Sequence, residues 1–319
     1  TGKTYLSAFD VASFNPKRCL FVVHRLNIAE AAMKTFKSVL SNDKSFGLYS
    51  GNHRDTDANF IFTTIQTMSR DSHLKQFNNN HFDYIIIDET HRAGAESYKK
   101  VLDYFDPGFL LGMTATPERT DGLDIFSLFD HTIAYEIRLH QALEENMLAE
   151  FHYYGVLDLT INGEEIQDKS EFRYLEAPER VNNILETSER YGTDDGIIRG
   201  LVFCSRKEEC HSLSIAFNKK GYRTLALTGD SNEHARVDAI KMLESNDSDR
   251  LDYIFTVDIF NEGIDIPKVN QILMLRPTNS AIIFVQQLGR GLRKVEGKQY
   301  VTIIDFIGNY QNNYLVPIA

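Results

Sequence analysis

Short apolar runs alternate with segments of helical spacing, and this alternation restricts the possible folds more than any other feature of the chain. Five such runs precede residue 140, namely Cys19–Val23, Phe46–Tyr49, Phe60–Thr64, Phe82–Ile87 and Phe109–Met113. Runs that are apolar throughout and separated by helices favour parallel strands whose sheet is covered on both faces. The first part of the chain is therefore predicted to be an α/β domain.

The same alternation begins again near residue 199. The second set of runs is Gly200–Cys204, Thr224–Leu227, Tyr253–Val257, Gln271–Leu275 and Tyr300–Ile304. Helical spacing at 208–219 and 233–244 separates them. We therefore predict two domains in tandem, over residues 1–140 and 199–319. Residues 141–198 are predicted as an acidic inter-domain segment that contains one strand and one helix.

The net charge does not exclude a nucleic-acid partner. The chain has a formal charge of −11, but residues 141–200 alone contain 14 acidic and 5 basic side chains. The predicted domains are close to neutral, and binding to nucleic acid depends on local charge. The chain has no apolar stretch of about 18 residues and no signal peptide at Thr1, so no membrane partner is predicted. Three cysteines without a CxxC pair fit a reduced, cytoplasmic protein.

The first residues resemble the end of a phosphate-binding loop. Gly2-Lys3-Thr4 matches the last three positions of G-x-x-x-x-G-K-[ST]. In that loop the ammonium of Lys3 would reach the β- and γ-phosphates, and the hydroxyl of Thr4 would bind Mg²⁺. A GKT triplet alone can also occur by chance. Because the earlier glycines are not in the sequence, we expect the first domain to lack its N-terminal strand and most of this loop.

A second motif follows the apolar run that starts at Phe82. The run ends in the adjacent carboxylates Asp88 and Glu89. In a Walker-B strand, the first carboxylate holds Mg²⁺ and the second orients the attacking water. An ordinary strand that meets a polar turn is the alternative interpretation.

Two further patterns complete the set. Thr114-Ala115-Thr116 follows another apolar run, where an ordinary strand exit is the alternative. Arg290 and Arg293 are three residues apart in a segment of helical spacing, so both would face the same way. Planar, permanently charged arginines suit the transition state of phosphoryl transfer, although a solvated basic helix face is also common.

In order along the chain, these patterns resemble motifs I, II, III and VI of the superfamily 2 helicases. They are Gly2-Lys3-Thr4, Asp88-Glu89-Thr90-His91, Thr114-Ala115-Thr116 and Gln286-x-x-Gly289-Arg290-x-x-Arg293. The DExH form is most similar to the branch that contains DEAD/DEAH-box proteins and restriction-enzyme translocating subunits. The resemblance covers nearly the whole chain. It implies two RecA-like domains with a nucleotide cleft between them, and ATP and Mg²⁺ as cofactors.

The resemblance also assigns roles to individual residues. The implied catalytic residues are Asp88, Glu89, Gln286, Arg290 and Arg293. The implied nucleotide-binding residues are Gly2, Lys3, Thr4, His91, Gly263 and Asp265, and Thr4 and Asp88 would hold the metal. Thr114 and Thr116 would couple closure of the cleft to hydrolysis.

Nucleic acid would contact residues at the carboxyl ends of strands, where open α/β sheets bind ligands. The implied contacts are His24, Arg25, Thr64, Gln66, Ser205 and Arg206. The chain departs from the family at Thr256-Val257-Asp258, where many relatives have Ala-Thr-Asp. Valine therefore occupies the position of the usual phosphate-binding threonine.

The sequence thus predicts a nucleic-acid-dependent ATPase motor, either a helicase or a translocase, that acts on DNA in preference to RNA. Nuclease or specificity domains outside this sequence are expected partners. The alternative is an ATP-gated switch that binds nucleic acid or protein with little turnover. A dinucleotide oxidoreductase is disfavoured, because no G-x-G-x-x-G follows a strand.

Overall fold

The computed structural model divides the chain into two compact units, Thr1–Glu136 and Ile137–Ala319. The residues that it describes are 2–40, 43–90, 96–114, 126–157, 160–161, 164–165, 177–257, 266–275 and 291–307. Among the described residues, every helix is too short or too polar to cross a membrane.

The first unit is a parallel α/β sheet, as predicted. In chain order its elements are α1 (Lys3–Phe14), β1 (Cys19–Val23), α2 (Leu26–Val39), β2 (Phe46–Tyr49), β3 (Phe60–Thr64), α3 (Ile65–Met68), α4 (Asp71–Leu74), β4 (Tyr84–Asp88), α5 (Glu96–Tyr104) and β5 (Phe109–Met113). A 3₁₀ turn follows at Phe126–Phe129. The strand order is β2-β3-β1-β4-β5, and every pairing is parallel.

Strand β1 shows why these runs are apolar throughout. Leu20 and Val22 pack into the core on one face of the sheet. Phe21 and Val23 pack into a separate core on the other face. Because successive side chains of a strand point to opposite faces, a strand covered on both sides needs apolar residues at every position.

The second unit contains a six-stranded sheet. Its elements are α6 (Leu139–Glu144), β6 (Glu150–Leu157), β7 (Thr160–Ile161), β8 (Glu164–Glu165), α7 (Pro178–Tyr191), β9 (Gly200–Phe203), α8 (Lys207–Lys219), β10 (Thr224–Leu227), α9 (Glu233–Glu244), β11 (Tyr253–Thr256), β12 (Gln271–Met274) and β13 (Tyr300–Ile307). The strand order is β10-β11-β9-β12-β13-β6, again all parallel. The pair β7–β8 is antiparallel and separate.

The acidic segment supplies two elements to this second unit. Strand β6 pairs with β13 over its full length, from Glu150 opposite Tyr300 to Leu157 opposite Ile307. Helix α7 begins with Pro178 in its first turn and buries Ile184 in the core beneath the sheet. Proline suits that position because its fixed φ is already helical and its missing N–H would have no helical partner.

Parallel pairing brings the predicted site residues to one edge of each sheet. In the first unit, β1, β3, β4 and β5 end just before or at His24, Thr64, Asp88 and Thr114. In the second unit, β9 ends just before Ser205. Polar residues follow or end the strands at each of these points, so the sheet fixes where the backbone of each polar residue lies.

Candidate functional site

Lys3, Asp88 and Glu89 meet at the edge of the first sheet. The Nζ atom of Lys3 lies 3.1 Å from Oε1 of Glu89 and 3.8 Å from Oδ1 of Asp88. The side chain of Lys3 is 23% exposed, that of Glu89 is 20% exposed and that of Asp88 is 11% exposed. The site is therefore open enough for a ligand and partly shielded from water. An ion pair of this burial interacts more strongly than one at the surface, because the effective dielectric is lower. The fold thus joins two motifs that are more than 80 residues apart in sequence.

The backbone at these positions is specialised. Gly2 precedes the first turn of α1 with a φ of 81°, a left-handed conformation that glycine adopts without a side-chain clash. Glu89 has a φ of 55°, which for a non-glycine residue costs about 1–3 kcal/mol. Its backbone N–H donates to Oδ1 of Asp88 over 3.0 Å. The turn therefore holds the two carboxylates in a fixed relation at the end of β4.

The donor set fits a magnesium-bound nucleotide. Helix α1 has 12 residues, and its first-turn N–H groups favour an anion such as a phosphate. Lys3 adds an ammonium, half-buried Thr4 adds a hydroxyl, and Asp88 adds a carboxylate oxygen. Oxygen ligands are those that Mg²⁺ prefers.

Thr64 belongs to a buried cluster of three hydroxyls in the first unit. Its Oγ1 lies 2.7 Å from Oγ of Ser50 and 3.0 Å from Oγ1 of Thr67. Ser50 and Thr64 are only 3% and 6% exposed, whereas Gln66 is exposed. Sequence reasoning did not identify Ser50 or Thr67, because no motif marks them; pairing of β2 with β3 brings Ser50 to this point. Ser50 and Thr67 thus orient the Thr64 hydroxyl beside an exposed amide.

His24 and Arg25 lie between β1 and α2, and both are half-buried. Arg25 is the N-cap residue of α2, with an extended backbone at φ −137°. The loop thus places a basic side chain at the carboxyl edge of the sheet, near the start of a helix. This is where sequence reasoning expected a nucleic-acid contact.

Ser205 and Arg206 have a buried support in the second unit. The backbone N–H of Ser205 donates to Oε2 of Glu209 over 2.9 Å. The other carboxylate oxygen of Glu209 accepts from Nη1 of Arg180 at 2.7 Å, and this pair is 0% and 1% exposed. Glu209 is not among the residues predicted from sequence. Its place as the third residue of α8, where an acidic side chain commonly reaches back to cap the helix, is a signal that could have found it.

The remaining predicted residues are only partly described. Thr114 follows β5 and is half-buried, and Arg293 is exposed directly after the buried Leu292. Six predicted residues lie outside the described part of the chain, namely His91, Thr116, Gly263, Asp265, Gln286 and Arg290.

The departure at Thr256-Val257 has a structural counterpart. Thr256 ends β11 and is fully buried, and its Oγ1 has no hydrogen-bond partner among the described residues. Val257 is half-buried. The hydroxyl of Thr256 is therefore buried at the end of β11. Thr256 lies one residue before position 257, where the family resemblance expects the phosphate-binding threonine.

Comparisons with known proteins agree with this arrangement. The family described as "Type III restriction enzyme, res subunit" matches residues 1–119, and "Helicase conserved C-terminal domain" matches residues 181–295. Together the two matches cover most of the chain and support a superfamily 2 helicase core of the branch that contains restriction-enzyme and DEAD/DEAH-box proteins.

The individual similarities are distant but extensive. The chain is 28% identical to IRC3 of Saccharomyces cerevisiae, a candidate ATP-dependent helicase, over 91% of this chain and 43% of that protein. It thus spans less than half of that relative. A fragment of a candidate HsdR subunit of a type I restriction enzyme from Vibrio vulnificus has the same fold, with a TM-score of 0.73, 23% identity, and coverage of 99% and 60%. The type ISP restriction-modification enzyme LlaBIII, solved bound to DNA, gives a TM-score of 0.71 at 18% identity, covering 98% of this chain and 26% of LlaBIII.

Proposed function

We propose that the chain is the motor core of a helicase or translocase, a nucleic-acid-stimulated ATPase that couples hydrolysis of Mg-ATP to movement along a strand. The observation that carries the proposal is the approach of the Lys3 ammonium to the Glu89 and Asp88 carboxylates. A phosphate-binding cation beside a metal-binding carboxylate and a second carboxylate is the set of groups that phosphoanhydride hydrolysis requires.

Electrostatics favour a nucleotide that arrives with its metal. The site brings together one ammonium and two carboxylates, Lys3 against Asp88 and Glu89. Their net negative charge opposes a free nucleotide anion. Asp88 and Thr4 would hold Mg²⁺, which when bound neutralises charge on the β- and γ-phosphates.

Exchange of the Lys3 partner then prepares the site for hydrolysis. When a phosphate oxygen takes the ammonium of Lys3, Oε1 of Glu89 accepts a hydrogen bond from the attacking water instead. Glu89 thereby orients the water toward the γ-phosphorus and accepts its proton. The water oxygen bonds to the γ-phosphorus as the bond from that phosphorus to the β–γ bridging oxygen breaks, which gives ADP and inorganic phosphate. The left-handed turn at Glu89 places this carboxylate next to the metal-binding Asp88.

The second half of the proposed site comes from the family resemblance. Arg290 and Arg293 would stabilise charge on the transferred phosphoryl group, and Gln286 would act with His91. Gly263 and Asp265 would contact the nucleotide. Thr114 and Thr116 would couple hydrolysis to movement.

The proposed polymer is DNA in preference to RNA. LlaBIII, which shares the fold with a TM-score of 0.71, was solved bound to DNA, and Dbp5 of Saccharomyces cerevisiae, which shares it with a TM-score of 0.65, was solved bound to RNA. We propose that His24, Arg25, Gln66 and Arg206 contact phosphates, with Thr64 and Ser205 beside them, because contacts to the backbone permit movement that ignores sequence. Nuclease or specificity domains would act alongside this core.

A Glu89→Gln variant tests the proposal. Glutamine preserves size and can still accept a hydrogen bond from Lys3, so Mg-ATP binding should change little. Steady-state hydrolysis should fall by about 10²–10⁴-fold, because the water loses its base. Glu96→Gln is the matched control, since Glu96 is an exposed carboxylate at the start of α5.

Steady-state rates of ATP hydrolysis are measured without nucleic acid and then with single-stranded DNA, duplex DNA or RNA. The proposal requires stimulation by at least one polymer, and a stronger response to DNA supports DNA over RNA. An unchanged rate for Glu89→Gln would show that the catalytic assignment is wrong. Tight Mg-ATP binding by the unaltered chain without turnover would support the ATP-gated switch.

A further inference from the structure

Lys298 lies in the turn before β13, and its ammonium joins three main-chain carbonyls from two segments of the chain. Its Nζ donates to the carbonyl oxygens of Pro267 at 2.5 Å, Gly291 at 2.6 Å and Val269 at 3.2 Å. The side chain is half-buried. Charge-assisted hydrogen bonds are shorter and stronger than neutral ones, and an ammonium offers three donors. Lys298 therefore ties these three carbonyls to a single point.

The three carbonyls belong to two segments with predicted roles. Pro267 and Val269 follow directly after the segment that contains Asp265. Gly291 lies between the predicted transition-state arginines, Arg290 and Arg293. Lys298 thus connects the residues that follow one predicted motif to the backbone inside another.

Close packing leaves the Gly291 backbone little room. A Cβ atom added at Gly291 would lie 3.2 Å from Cγ1 of Val269 and 3.3 Å from Cδ1 of Ile272. The next residue, Leu292, is fully buried, and its carbonyl accepts from the N–H of Ala149 over 2.7 Å. Arg293 follows directly and is exposed. The backbone that leads into Arg293 is thus held by packing on one side and by the Lys298 ammonium on the other.

We propose that Lys298 is a positioning residue for hydrolysis: it fixes the main chain at Gly291 and thereby the placement of Arg293, two residues further on. The inference rests on the proposed ATPase function. Lys298 has no contact with the nucleotide in this scheme and acts through Arg293. A displacement of about 1 Å in a catalytic group can lower a rate by about 10²-fold, so loss of the ammonium should affect turnover most.

A Lys298→Met variant tests this role, because methionine keeps much of the side-chain volume and removes the donors. The nucleic-acid-stimulated kcat should fall by about 10- to 100-fold, while the KM for ATP changes by less than about 3-fold. Lys294→Met is the matched control. Lys294 is an exposed lysine in the same segment, and its Nζ donates to Oδ1 of Asn146 over 2.9 Å. The control should retain the unaltered rate.

A chemical rescue separates positioning from general damage. Lys298→Cys treated with 2-bromoethylamine regains an ammonium at nearly the original length, and most of the rate should return. Reaction in the folded state is directed to position 298, because the three native cysteines, Cys19, Cys204 and Cys210, are buried. Lys298→Arg should recover poorly, because a planar fork does not match three carbonyls around one point.

Three results would overturn the inference. The first is a kcat of Lys298→Met that lies within about 3-fold of the kcat of Lys294→Met. The second is a Lys298→Met chain that circular dichroism shows to be unfolded at the assay temperature. The third is alkylation of Lys298→Cys that restores no activity. The second result would assign Lys298 to stability alone. If the unaltered chain shows no stimulated hydrolysis, the proposed function itself is wrong. This failure can be told apart from a failure of the Lys298 inference, because the control variant Lys294→Met then also lacks activity.

Discussion

The buried pair Arg180–Glu209 offers a quantitative test of how the second unit supports its predicted contact loop. Both side chains are at most 1% exposed, and they join α7 to α8 through a 2.7 Å hydrogen bond. The remaining oxygen of Glu209 accepts the Ser205 N–H. Removal of either side chain takes this charged hydrogen bond away from the other, which stays buried.

The expected loss of unfolding free energy differs between the single variants and the double variant. Glu209→Leu or Arg180→Met alone should lower the free energy of unfolding by about 3–5 kcal/mol, because each removes the oppositely charged hydrogen-bond partner of a side chain that stays buried. The double variant removes both charges and retains apolar packing. Its main loss is the unsatisfied Ser205 N–H, which costs about 1–3 kcal/mol. The coupling energy between the two sites should therefore be at least about 3 kcal/mol.

Urea unfolding of the whole chain, followed by circular dichroism, measures all four proteins of this cycle. Glu209→Gln serves as a further comparison, because it retains an acceptor for Ser205 and loses the charge. Additive losses in the double variant, or single losses below about 1 kcal/mol, would refute the reasoning. Either result would mean that water or a rearranged neighbour compensates the remaining charge.

Two more outcomes follow from the second unit. Burial raises the pKa of Asp305, although the hydrogen bond from the Tyr153 hydroxyl lowers it. The pKa of Asp305 is higher in the folded state than in the unfolded state, so this carboxyl destabilises the fold as pH rises above about 4. The unfolding free energy of Asp305→Asn, measured relative to that of the unaltered chain, should therefore increase between about pH 4 and pH 7. A constant difference across this range would contradict the prediction. Arg206→Ala should weaken binding to all DNA sequences alike and reduce the slope of log affinity against log salt by about one. The control, Lys219→Ala at the far end of α8, should leave this slope unchanged. An unaltered slope for Arg206→Ala would show that Arg206 makes no phosphate contact.

The strands could be predicted from sequence because burial on both faces leaves an uninterrupted apolar run. The run at Phe82–Ile87 predicts β4 within two residues at its start, and the strand extends to Asp88 because pairing with β5 continues there. The pairing of β6 with β13 could not be predicted in the same way. The strand from Glu150 to Leu157 alternates between exposed and half-buried residues, and its partner lies about 150 residues further along the chain.

The meeting of Lys3 with Asp88 and Glu89 could be anticipated, because these residues occupy recognisable motifs. Their supports could not be found in this way. Ser50 carries a short polar side chain in a loop, and only the three-dimensional pairing of β2 with β3 brings it to Thr64. Lys298 is similar, since its acceptors are backbone carbonyls, which have no sequence pattern.

Polar supports beneath these sites have a physical rationale. Apolar packing fills space but constrains direction weakly, whereas a hydrogen bond fixes both distance and angle. Glu209 holds the Ser205 N–H and Lys298 holds the Gly291 carbonyl. The buried charges of Arg180 and Glu209 contribute little net stability. If they are retained for direction, then the Arg180→Met/Glu209→Leu chain should stay folded and yet bind nucleic acid more weakly, because its Ser205–Arg206 loop has lost the group that orients it. Unchanged affinity in that folded variant would show that the pair serves the fold alone.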